Sequence, residues 1–69
     1  TMERLRLHNG QDITCLTTEN ETQKNYYCPT HQIASVVGMV LTDLGHDATV
    51  KFGHHGWMVV TRKKHSINT

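Results

Sequence analysis

The sequence predicts an α+β domain, ββαββ, in which one helix packs on one face of a four-stranded, mostly antiparallel sheet. Three observations lead to this fold. One segment has the periodicity of a helix, the segments on both sides of it alternate apolar and polar residues, and glycine-containing turns divide these segments into two hairpins. The 69 residues predict a single small domain over 1–69 with a small core.

The helix is predicted over residues 29–44. Its apolar positions recur at intervals of three and four, which places them on one face of a 3.6-residue period. They are Ile33, Val37, Val40, Leu41 and Leu44. Pro29 or Thr30 suits the first turn, and Gly45 suits the end because glycine readily takes the left-handed conformation that closes a helix.

The first hairpin is predicted before the helix, with a loop at His8-Asn9-Gly10. A three-residue loop with Gly10 in the left-handed region sets Leu5 opposite Ile13, so that the apolar residues share one face. A two-residue Asn-Gly turn is the alternative, but it sets leucines opposite polar residues. The polar segment 18–25 has no periodicity and predicts a surface loop.

The second hairpin is predicted after the helix, with Gly53-His54-His55-Gly56 as its turn. Pairing Phe52 with Trp57 places alternate residues of the two strands on one face. Residues 63–69 are polar and predict a flexible tail. The predicted core contains Leu5, Leu7, Ile13, Cys15, Ile33, Val37, Val40, Leu41, Leu44, Val50, Phe52, Trp57 and Val59.

A single helix leaves the other face of the sheet open, and this open face is the predicted functional surface. It combines cations with exposed apolar side chains, a mixture typical of recognition surfaces. Its predicted contact residues are Arg4, Arg6, Lys51, Met58, Val60 and Arg62. We therefore expect a non-enzymatic binding or regulatory protein whose partner is another protein or a second copy of the chain, giving a homodimer.

Nucleic acid is the alternative partner, bound through the same face and the basic tail. The formal net charge of +1 is too small to favour it by itself. Trp57, which would stack best on a base, is predicted on the core side of the sheet. Tyr26 and Tyr27 are predicted just before the helix and not on the open face, so the sequence places no stacking residue there.

A third hypothesis centres on Cys28 and His31 at the start of the helix, where the helix dipole and an imidazolium favour a reactive thiolate. A zinc set of Cys15, Cys28 and His31 with His54 or His55 has suitable donors, but its spacing lacks the paired knuckles of specific zinc motifs. No cofactor is predicted from these residues.

The chain shows no apolar run near the ~20 residues that span a bilayer. It also lacks the basic-then-apolar pattern of a secretory signal. We therefore expect a cytoplasmic protein with no membrane partner.

Overall fold

The computed structural model describes residues 1–62, which form five strands and one helix. The elements are β1 (Met2–Arg6), β2 (Asp12–Glu19), β3 (Gln23–Cys28), α1 (His31–Asp43), β4 (Asp47–Gly53) and β5 (Gly56–Arg62). The tail predicted at 63–69 lies outside the described residues.

The strands form one antiparallel sheet in the order β1-β2-β3-β5-β4. After β3 the chain crosses the sheet as α1 and returns in β4 at the far edge, and β5 then fills the gap between β3 and β4. α1 packs on β3, β5 and β4. The α+β class and the single helix are confirmed, but the prediction of four strands was wrong.

The missing strand is β3, whose first three residues belong to the predicted 18–25 loop. The end of β2, a tight turn and the start of β3 replace that loop. The Asn20 side-chain oxygen accepts hydrogen bonds from the backbone N–H groups of Thr22 (2.9 Å) and Gln23 (2.8 Å). The Asn20 N–H donates to the Gln23 carbonyl at 2.9 Å. These bonds satisfy the turn locally, so a polar segment folds as a hairpin.

Both predicted hairpins have the expected register. Leu5 lies opposite Ile13, the Leu7 N–H donates to the Gln11 carbonyl at 2.7 Å, and Gly10 has φ 87°. In the second hairpin Phe52 lies opposite Trp57. The apolar pattern therefore fixes both registers, as a one-residue slip would turn every core side chain to the other face.

The helix spans His31–Asp43, slightly shorter than predicted. The Thr30 side chain caps it by accepting a hydrogen bond from the Ile33 N–H at 3.2 Å. Ala34, Val37 and Leu41 are almost completely buried on its inner face, as is Val59 on the sheet beneath. Gly38 adds a close approach, since a side chain there would meet Val50 at 3.3 Å.

Two residues predicted in the core are instead exposed: Leu44 (67%) and Phe52 (70%). Leu44 follows the last helical turn, and Phe52 lies on β4, which has a neighbouring strand on one side only in the described part of the chain. Conversely, Tyr26, Cys28 and Ala34 are buried although they were not predicted in the core. The two β3 residues were missed with their strand.

We expect Asn20→Ala to lower the free energy of unfolding by about 1 kcal/mol, because two backbone N–H groups lose their acceptor. Chemical denaturation measures this loss. Asn9→Ala is the comparison, since the Asn9 side chain accepts a single backbone bond, from Gln11 at 2.9 Å. An equal or larger loss of unfolding free energy in Asn9→Ala would contradict the importance of the Asn20 side chain in the turn between β2 and β3.

Candidate functional site

The six predicted contact residues all lie on the sheet face that points away from α1. Arg4 is adjacent in sequence to Leu5, and Val60 is adjacent to Val59. Leu5 and Val59 both pack in the core, so their neighbours point to the other face. The same alternation places the others, because successive strand residues point to opposite faces. The six are Arg4 and Arg6 on β1, Lys51 on β4, and Met58, Val60 and Arg62 on β5.

An apolar stripe crosses this open face from β1 to β5. The registers align Met2 with Leu16, Leu16 with Tyr27, and Tyr27 with Met58, and Lys51 ends the row on β4. Met2 is 60% and Leu16 49% exposed, while Tyr27 and Met58 are half-buried. We use "apolar stripe" for Met2, Leu16, Tyr27 and Met58.

Sequence reasoning missed three members of the stripe. Met2 was not included in the predicted first strand, and Leu16 and Tyr27 adjoined the segment interpreted as a loop. The alternation of Leu16 with buried Cys15 and Thr17 was the available signal. Its neighbour Tyr27 was not predictable without the β2–β3 pairing.

Tyr27 lies near the middle of the stripe and is held on two sides. Its ring meets the His55 ring edge-on, with centroids 5.7 Å apart. Its hydroxyl is 3.3 Å from the Thr18 hydroxyl, within hydrogen-bond distance. Leu16, Thr18, Tyr27 and His55 line a shallow depression in the open face. A partly exposed aromatic ring with fixed orientation is suited to contact with another molecule.

The cations of the open face lie in two separate regions. Arg6 is paired with Asp12 at 3.1 Å on the β1 side. Arg62 lies opposite Asp47 on the β4 side. From β1 to β4 there are four strand spacings, or about 19 Å. The face therefore has an apolar centre with mixed charges at opposite edges.

Cys28 is not the exposed thiol that the third hypothesis requires. Cys15 and Cys28 are both buried free cysteines, and continuing the β2–β3 register by one pair places them opposite each other. Burial, and to a smaller extent the neighbouring Cys15, together raise the pKa of the Cys28 thiol to about 12. A buried neutral thiol is a poor nucleophile.

The predicted zinc donors are not brought together. Cys15 and Cys28 lie in the core, whereas the His31 ring packs on Trp57 with centroids 4.5 Å apart, and His55 packs on Tyr27. Among residues 1–62, no group of three or more histidine, cysteine, aspartate or glutamate side chains is arranged to hold a metal ion.

Comparison with known proteins gives no relative: no family model, no curated protein and no solved structure matches the chain. In the part of the chain that the structure describes, no helix has the length and apolar character needed to cross a bilayer.

We expect the buried thiols to make stability fall with pH above about pH 9. A thiol whose pKa is higher in the folded than in the unfolded chain contributes stability below the unfolded pKa of 9.0, and this contribution is lost as pH rises toward the folded pKa of about 12. The decline for one thiol is at most about 1.4 kcal/mol per pH unit.

Chemical denaturation in the presence of a reductant, carried out at a series of pH values from neutral to alkaline, measures this decline in the free energy of unfolding. The double variant Cys15→Ala with Cys28→Ala is the control, because it lacks both thiols and keeps every other titratable side chain. The difference in unfolding free energy between the two proteins should shrink above pH 9. A constant difference would contradict the assignment of buried neutral thiols.

Proposed function

We propose that the chain is a small non-enzymatic binding or regulatory module that binds a protein partner through the open face. The observation that carries this proposal is the continuous apolar stripe. Around it lie the other contact residues, which are Arg4, Arg6, Lys51, Val60 and Arg62. The cytoplasmic location stays a prediction from the sequence.

The composition of the stripe supports contact with a protein. Methionine, tyrosine and arginine are enriched at protein interfaces, and the stripe supplies two methionines and a tyrosine beside arginines. It covers four adjacent strands, or about 14 Å across the strands. Exposed apolar surface of this continuity is uncommon on a monomer unless it contacts a partner.

The distribution of charge supports a partner with an apolar centre and acidic groups at its margins. Arg4 and Arg6 lie at one edge of the face, where Asp12 lies opposite Arg6. Lys51 and Arg62 lie toward the other edge, where Asp47 lies opposite Arg62. Charges at the rim of an interface mainly guide orientation and speed association. The partner's acidic groups would meet the arginines while its apolar residues cover the stripe.

Nucleic acid is the second candidate, and the placement of Tyr27 favours it. A ring on the central strand of a face that also carries cations resembles the stacking platforms that bind single strands. Trp57 is on the helix side, as predicted, and lies against His31 and Phe52. Tyr27 is therefore the one tyrosine, tryptophan or phenylalanine of the open face in the described region, and its nearest cation along the row is Lys51 two strands away.

Photo-cross-linking tests the proposed function. A photoreactive benzophenone side chain at Tyr27 should cross-link a specific protein in an extract of cells that express the chain, and excess wild-type protein should compete. The same group at Met39, exposed on the helix, should not give this product. Cross-linking from Met39 alone would overturn the assignment to the open face.

We expect Leu16→Glu to weaken binding of that partner by about 10- to 100-fold, since an apolar contact becomes a buried charge. Met39→Glu is the matched control, because both side chains are about half exposed. Titration calorimetry with the purified partner gives both affinities. Equal affinities in the two variants would contradict binding through the stripe.

Reversing Arg6 and Arg62 together to glutamate should slow association with the partner while the thermal midpoint hardly changes, because both side chains are exposed. An unchanged association rate with the protein partner would remove the arginines from the interface.

Fluorescence anisotropy with a single-stranded oligonucleotide separates the two candidate functions. Oligonucleotide binding by the wild type that weakens as salt rises, and that is absent from the double arginine variant, would favour nucleic acid.

A further inference from the structure

The outer edge of β4 is another surface that has no partner within residues 1–62. β4 pairs with β5 on one side, and no residue among 1–62 pairs with its other side. An edge strand presents unpaired backbone N–H and C=O groups that another strand readily completes. This surface lies along the edge of the sheet and meets the open face at Lys51, which belongs to both.

The edge at β1, by contrast, is protected against self-pairing. Two copies of a strand pair antiparallel about a two-fold axis that passes through one residue. An axis at Glu3 or Arg4 sets that residue against itself, and an axis at Leu5 sets Arg4 against Arg6 of the second copy. Each of these registers brings like charges together, which is unfavourable.

The sequence of β4 is self-complementary about Thr49. An axis at Thr49 sets Asp47 opposite Lys51 of the second copy, and this pair occurs twice by symmetry. Ala48 then lies opposite Val50 of the second copy on the helix side. Axes at Asp47 or Lys51 bring like charges together, and axes at Ala48 or Val50 form no ion pair. Charge therefore selects the Thr49 register.

Exposed apolar side chains flank this edge. Met39 is 57% and Phe52 70% exposed. Met39 lines the groove between α1 and β4 together with Gly38, Ala48 and Val50. In the Thr49 register Phe52 lies opposite His46 of the second copy. Pairing of two β4 edges thus adds a contact between the Phe52 and His46 positions, and one between Ala48 and Val50, to the backbone hydrogen bonds.

We propose that two copies of the chain associate through β4, in antiparallel register about Thr49, to form a continuous ten-stranded sheet. The two-fold axis is perpendicular to the sheet, so both helices lie on one side and both open faces on the other. The dimer leaves the open faces accessible and presents two copies of the apolar stripe side by side. This assembly does not depend on the proposed function of the open face.

Analytical ultracentrifugation of the full chain over a range of concentrations tests the assembly. The wild type should sediment at about twice the chain mass of 7.9 kDa. Asp47→Lys and Lys51→Asp should each raise the dimer dissociation constant by about tenfold, because two opposite-charge pairs become like-charge pairs. Circular dichroism checks that both variants remain folded.

Mixing the two variants provides the decisive result. One variant supplies lysine at both positions and the other supplies aspartate at both, so a heterodimer regains two opposite-charge pairs. Native mass spectrometry should show this heterodimer in excess over either homodimer. Arg4→Glu, which makes the same type of charge reversal at the β1 edge, should leave the dimer unchanged.

Three results would overturn the assembly. The first is a wild type that stays monomeric at every concentration, the second is a dimer that both β4 variants leave intact, and the third is a mixture without heterodimer. A dimer lost in Leu16→Glu but kept in the β4 variants would move self-association to the open face. Loss of partner binding with an intact dimer concerns the proposed function alone.

Discussion

The central constraint on this molecule is that one 13-residue helix covers a five-stranded sheet. Ala34, Val37 and Leu41 cover Val59 and its neighbours, and this contact excludes water from one side of the central strands. α1 packs on β3, β5 and β4, and within residues 1–62 no element covers the opposite face of the sheet. The open face follows from this shortage of covering elements, whereas the β4 edge follows from the strand order.

The local features of the fold were predictable, whereas its nonlocal pairings were not. Gly10 and the spacing of Leu5 and Ile13 determine the first hairpin within a few residues of chain. β3 escaped prediction because Lys24 interrupts the apolar alternation on the helix side. Lys24 forms an ion pair with Glu3 and lies over the Tyr26 ring at 5.2 Å, so a charged residue occupies a partly covered position. Neither contact is visible in the order of residues along the chain.

The candidate site shows the same division. Alternation was sufficient to place Arg4, Lys51 and Val60 on the open face, because each belongs to a hairpin with a determined register. The apolar stripe needed the insertion of β3 between β2 and β5, which brings Leu16, Tyr27 and Met58 into one row. The edge position of β4 likewise depends on strand order. Features that span several strands are therefore those that the structure adds to the sequence.

The chain contains three methionines, which test the binding of a partner to the open face within a single sample. Met2 and Met58 belong to the apolar stripe, and Met39 is exposed on the helix. The partner identified by cross-linking is purified and titrated into the chain, whose concentration is held constant. NMR of the methionine methyl groups then reports on all three residues. We expect the Met2 and Met58 signals to shift or broaden while the Met39 signal is unchanged. A response of Met39 without Met2 and Met58 would contradict binding through the open face.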